Sequence, residues 1–121
     1  MIKTHGLTHL SLSVRDPDRS LEFYATVFGV KEYYRDDGSI QVLGPGKYDV
    51  IAFEKSRQDA GKKGGIAHFG FRLTKPEDMN KAVVEVEKAG GKVLERGEFS
   101  PGFPFAFVTD PDGYTIEIWY E

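Results

Sequence analysis

Leu7-Thr8-His9-Leu10-Ser11-Leu12-Ser13-Val14 alternates apolar and polar side chains, and Ile66-Ala67-His68-Phe69-Gly70-Phe71-Arg72-Leu73 does so again in the second half of the chain. Alternation with a period of two marks a half-buried strand. A histidine is the third residue of each run. Asp16-Pro17 follows the first run, a side chain that caps orphan amides and a ring tolerated at the first helical position. Leu21, Tyr24, Val27 and Phe28 then recur at helical spacing, with Tyr24 on the core face, and Gly29 is the expected stop. In the second half, Thr74 to Glu77 has the spacing of a capping box, with Pro76 in the first turn. Met79, Val83 and Val86 mark a buried helix face, ended by Gly90-Gly91. Extended runs follow each helix, near 31–36, 39–43 and 48–54, and near 92–97, 104–109 and 114–120. Asp37-Gly38, Gly44-Pro45-Gly46 and Asp110-Pro111-Asp112-Gly113 punctuate them as turns.

Each half therefore reads strand–helix–strand–strand–strand, an internal repeat that predicts an α+β protein of two tandem modules. Module one covers 5–54 and module two 66–121. The Lys- and Gly-rich stretch 55–65 links them within one domain, 1–121.

Strand parity sorts the polar residues. Leu10, Leu12 and Val14 share the face that packs on the helix, so His9, Ser11 and Ser13 point the other way. In the second module Ala67, Phe69, Phe71 and Leu73 oppose His68, Gly70 and Arg72. In the last strand Ile116, Ile118 and Tyr120 alternate with Thr115, Glu117 and Trp119. Two histidines and one carboxylate thus occupy faces turned away from the helices. If those faces are concave, the three side chains converge. Imidazole and carboxylate together suit Zn, Ni, Mn, Co or Fe(II), and three protein ligands leave open positions for substrate. The plainer alternative is that all three are ordinary sheet residues.

Composition narrows the classes. The chain has 121 residues, 40% apolar and 29% charged, as in a soluble globular domain. Its net charge of -3, with no basic block, argues against nucleic acid. No stretch approaches the roughly 20 apolar residues of a membrane span, and the first residues carry no secretory signal. Cysteine is absent, which removes disulfides and thiolate chemistry. A cytoplasmic protein is the default expectation.

The same segments resemble the vicinal oxygen chelate superfamily, which includes glyoxalase I, extradiol dioxygenases, fosfomycin-resistance proteins and bleomycin-binding proteins. The resemblance rests on the run from Leu7 to Val14, on Arg19-Ser20-Leu21-Glu22-Phe23-Tyr24 with Gly29, on Ala67-His68-Phe69-Gly70-Phe71 and on Ala89-Gly90-Gly91. It is most specific in Phe107-Val108-Thr109-Asp110-Pro111-Asp112-Gly113-Tyr114-Thr115-Ile116-Glu117. It implies two βαβββ modules forming a cupped mixed sheet around a metal site, often completed by a second subunit. It places metal ligands on His9, His68 and Glu117, with one divalent ion per site; Glu117, or a water on the metal, is then the expected base. A glyoxalase-like enzyme acting on a small substrate that chelates through two oxygens is the leading expectation. An extradiol-type dioxygenase and a non-catalytic drug- or metabolite-binding protein are the alternatives.

Departures from the pattern matter. The fourth ligand of glyoxalase I falls on Ala52 or Ile51, neither of which binds metal; Glu54 substitutes only if the strand end bends inward. The stretch 98–107 lacks the His and Tyr of extradiol dioxygenases, and Phe107 replaces a fosfomycin-protein Tyr. Arg72, Trp119 and Phe107 are expected to line a substrate pocket, and Phe99, Phe103 and Phe105 an apolar lid or wall. Broad apolar patches predict a homodimer.

Overall fold

The alternating runs become strands at the edges of two sheets. The computed structural model describes residues 1–121 and divides the chain into two compact units, Met1–Ala60 and Gly61–Glu121. The first contains β1 (His9–Val14), α1 (Pro17–Phe28), β2 (Lys31–Arg35), β3 (Ser39–Leu43) and β4 (Val50–Lys55). The second contains β5 (Phe69–Arg72), a 3₁₀ turn at Pro76–Asp78, α2 (Met79–Lys88), β6 (Lys92–Glu98), β7 (Pro104–Thr109) and β8 (Thr115–Trp119). The strand orders are β1-β4-β3-β2 and β5-β8-β7-β6. In each sheet the first strand pairs in parallel with the last, and the other pairs are antiparallel. The βαβββ pattern and the mixed α+β class are therefore both present.

Local chemistry explains the helices. Asp16 Oδ1 accepts from the amides of Asp18 (3.0 Å) and Arg19 (3.3 Å), and Pro17 sets the first turn. Gly29 ends α1 at φ 70°, its amide donating to Ala25 O. In α2 the amides of Gly90 and Gly91 return to the carbonyls of Glu87 and Val86, the paired bonds of a Schellman stop. The capping box expected from Thr74 and Glu77 does not form. Pro76 starts a 3₁₀ turn after Lys75, and neither Lys75 nor Asp78 caps through its side chain.

Each sheet buries one face against its helix. Leu12, Val14, Phe23, Tyr24, Ile40, Val42 and Phe53 are buried in the first unit. Met79, Val83, Val86, Ala106, Val108, Ile116 and Ile118 are buried in the second. Tyr24 is core as expected, its ring 5.1 Å from that of Phe53. No helix is long and apolar enough to cross a membrane.

One strand is shorter than its alternation suggests. β5 begins at Phe69, paired with Ile116, because β8 begins only at Thr115 after the turn. A ladder needs a partner, so Ile66 to His68 stay outside it and are exposed. His9 is likewise the first residue of β1 rather than its third.

Candidate functional site

The ladders give the two units a residue-by-residue correspondence. His9 lies opposite Val50, and His68, one residue before Phe69, precedes the Phe69–Ile116 pair as His9 precedes the Leu10–Ile51 pair. Ser11 pairs with Ala52 as Gly70 pairs with Glu117. Ala52 pairs in turn with Gln41, and Glu117 with Phe107. Ala52 is therefore the first-unit counterpart of Glu117, which settles the choice between Ala52 and Ile51: Ile51 has the opposite parity. Glu54 pairs with Ser13 and Ser39 and is exposed. Two residues of strand, about 6–7 Å, separate it from Ala52.

In the second unit His68 Nε2 lies 3.2 Å from Glu117 Oε2, with the side chains 39% and 17% exposed. Both have the parity opposite to buried Ile116 and Ile118, hence the face away from α2. The Phe107 ring meets the imidazole edge-to-face at 5.0 Å and 70°. Phe105 packs against Phe107 in turn, 5.7 Å between centroids. One side of the His68–Glu117 pair is thus walled by aromatic rings.

Trp119 lies in the next row. Arg72 pairs with it across the ladder, and the Arg72 guanidinium carbon stands 5.2 Å from the indole centroid. Gly70 makes room for this arrangement: a Cβ there would meet Glu117 O at 3.0 Å and Trp119 Nε1 at 3.2 Å. The turn before β8 is held by Asp110, whose buried Oδ1 accepts from the amides of Asp112 (2.9 Å) and Tyr114 (3.0 Å). That bonding starts β8 in a fixed register and so aims Glu117. The sequence reading treated Asp110 only as a turn residue.

Donor chemistry fits a divalent ion. Two ligands about 2.1 Å from one ion stand about 3.0–3.4 Å apart for square or tetrahedral angles, and the 3.2 Å separation falls in that span. Within a single unit no group of three histidine, cysteine or acidic side chains gathers to hold a metal. His68 and Glu117 make two donors; His9 stands in the first unit, at the start of β1.

On the face of the first unit that carries His9, the residues are of other kinds. Tyr33 Oη donates to Gln41 Oε1 at 2.8 Å and Tyr34 Oη to Asp36 Oδ2 at 3.2 Å. The second bond holds the Tyr34 phenol above its ordinary pKa, the Asp36 charge adding to the effect. On the opposite side, toward α1, Arg35 binds Glu32 at 2.6 Å and Asp18 of α1 at 2.8 Å, and its hydrogen bond holds the Glu32 carboxyl below its usual range. None of Tyr33, Tyr34 and Gln41 was singled out from sequence: the two histidines lie 59 residues apart and Gln41 and Phe107 lie 66 apart, so only the ladders set one against the other.

Comparison with known proteins agrees with this fold. The model of the Glyoxalase/Bleomycin resistance protein/Dioxygenase superfamily matches residues 6–118. A lactoylglutathione lyase of Neisseria meningitidis is 31% identical over 93% of this chain and 88% of its own length. A lactoylglutathione lyase of Arabidopsis thaliana is 33% identical over 91% of this chain, which spans 42% of that protein. A metapyrocatechase of Geobacillus stearothermophilus is 26% identical over 95% of the chain and 34% of its own length. The crystal structure of a glyoxylase/bleomycin resistance protein/dioxygenase domain from Frankia sp. EAN1pec superposes with a TM-score of 0.80 at 24% identity, covering 98% of this chain and 93% of that one.

Proposed function

The chain belongs to the Glyoxalase/Bleomycin resistance protein/Dioxygenase superfamily, and we propose that it is a metal-dependent, glyoxalase-like enzyme of that superfamily. Its substrate is a small molecule that chelates a divalent ion through two oxygens, and His9, His68 and Glu117 hold the ion. The observation that carries this reading is the His68–Glu117 pair, 3.2 Å apart on a helix-free face. The ion supplies Lewis acidity toward the chelating oxygens. Glu117 Oε2 is the carboxylate oxygen placed to hold a proton, and His68 Nε2 is its neighbour. Phe107 covers one side of the imidazole edge-to-face, while the rest of that side chain stays open to substrate. Arg72, oriented over the Trp119 ring, binds an anionic part of the substrate.

Ala52 favours a second reading. With alanine at the counterpart of Glu117, the first unit supplies no matching carboxylate, and ring-opening dioxygenase chemistry becomes the alternative to isomerisation; the metapyrocatechase likeness supports it. A homodimer is part of the proposal, supported by exposed Leu94, Phe99 and Phe103. Elemental analysis of untreated protein tests the reading. About one divalent ion per chain is expected, lost in His9→Ala, His68→Ala and Glu117→Ala. Protein that carries no metal and takes up none of Zn, Mn, Ni, Co or Fe(II) overturns it.

A further inference from the structure

β2 carries a bulge at Tyr33. Glu32 pairs with Val42 and Tyr34 with Gln41, so the register shifts by one residue between them. An inserted residue re-aims the side chains beside it, a device common next to ligand sites. Here Tyr33 and Tyr34 both line a depression of about 440 Å³, with Asp36, Ser39, Gln41 and Glu54. Gln41 has the parity of Ala52, Ser11 and His9, so the depression opens on the helix-free face of the first unit.

Its polar groups are unevenly satisfied. Tyr33 donates to Gln41 Oε1, which fixes the amide and leaves its Nε2 hydrogens to donate. The Ser39 hydroxyl is buried with no hydrogen-bond partner. Asp36 is occupied, accepting from Tyr34 Oη and from the Gly38 amide. Glu54 is the carboxylate left unengaged on the exposed rim. No lysine or arginine lines the depression. The cations Arg35 and Lys55 line a neighbouring depression that shares Asp36 and Ser39 with this one; there Arg35 is bound to Asp18.

We propose that this depression binds a flat aromatic group that carries a hydrogen-bond acceptor and is uncharged or cationic, and that it rejects anions. The tyrosine rings offer π surface, which attracts planar rings and cations. Gln41 Nε2 serves the acceptor, and Glu54 selects charge. Resting on the reading of these faces as substrate faces, the pocket holds the part of the substrate that does not chelate. A glutathione conjugate, with two carboxylates, fits it poorly.

The test uses three phenols of one ring and different charge: tyramine, 4-ethylphenol and 4-hydroxyphenylacetate. Each is titrated into the chelator-treated full chain at neutral pH, following the Gln41 amide and the Tyr33 and Tyr34 ring resonances. Tyramine and 4-ethylphenol are expected to shift these signals, with 4-hydroxyphenylacetate at least about ten-fold weaker than tyramine. Glu54→Gln, a near-isosteric change of an exposed side chain, should remove the advantage of tyramine over 4-ethylphenol. Tyr33→Leu should weaken all three. Equal binding of the anion, shifts confined to other residues, no shifts at millimolar ligand, or an unchanged preference in Glu54→Gln would overturn the proposal. Because the chain is stripped, ring binding by a protein that never loads metal removes only the enzyme reading; metal loading without ring binding removes only this pocket.

Discussion

Gln41 in the first module and Phe107 in the second hold the same place in the same backbone, and they face opposite tasks. Both sit one strand in from a bulge: Tyr34 pairs with Gln41 after a shift at Tyr33, and Glu95 pairs with Phe107 after a shift at Leu94. The interior residues match in kind, Ile51 with Ile116, Phe53 with Ile118, Val42 with Val108. The helix-free faces do not. One carries Ala52, Gln41 and two tyrosines; the other carries Glu117, Phe107 and a tryptophan. Packing against a helix constrains one face of each sheet, and the other face is free to diverge. Side-chain chemistry on these faces is therefore asymmetric between modules whose scaffolds are alike.

The largest effect is expected from erasing that asymmetry at its centre. Ala52→Glu gives the first module the carboxylate of the second. General-base catalysis contributes on the order of 10²–10⁴-fold, and glyoxalase turnover of the methylglyoxal–glutathione hemithioacetal should rise in that range. The unmodified protein should be a poor catalyst of this reaction. Efficient turnover without the substitution would break the comparison and point to Glu54 as the missing group.

A stability comparison comes next. Phe53 and Ile118 are matched core residues, 0% and 1% exposed. Phe53→Ala is expected to cost about 3–5 kcal/mol and Ile118→Ala about 2–5 kcal/mol in urea titrations. A loss below 1 kcal/mol at either position would show that the matched cores are not equally packed.

Gly70 and Ser11 make a sharper pair, because only Gly70 lies beneath a folded-over tryptophan. Gly70→Ala should cost about 1–3 kcal/mol, as overpacking does, and should change the Trp119 fluorescence. Ser11→Ala, at an exposed position, should stay within about 0.5 kcal/mol. Equal effects would mean that Trp119 does not depend on Gly70.

The smallest effect is a titration. Tyr34 is held above its ordinary pKa, first by its hydrogen bond to Asp36 and then by that carboxylate's charge. A phenol raised on folding adds stability that is complete below the ordinary tyrosine range and is lost as pH rises through the folded value. Tyrosinate absorbance should therefore show one tyrosine ionising late, moved earlier by Asp36→Asn. An unchanged alkaline titration in that variant would remove the Tyr34–Asp36 bond from the account.

What the sequence alone determined was whatever depends on a few neighbouring residues. Period-two alternation located the strands, Asp16 and Pro17 began a helix, and Gly29 and Gly90 ended two, because caps and periodicity act within one turn or one strand. His68 and Glu117 were legible as ligand-type residues on one face for the same reason. Other features belong to the ladders. Thr74 and Glu77 had the right spacing for a capping box, yet Pro76 began a 3₁₀ turn instead. Ile66 to His68 had the right alternation for a strand, but β8 starts too late to pair with them. The bulges, the identity of Ala52 as the counterpart of Glu117, and the grouping of Tyr33, Tyr34 and Gln41 were decided only by tertiary structure. Register is set by which strand lies alongside and where its hydrogen bonds begin, and a chain read residue by residue contains no such neighbour.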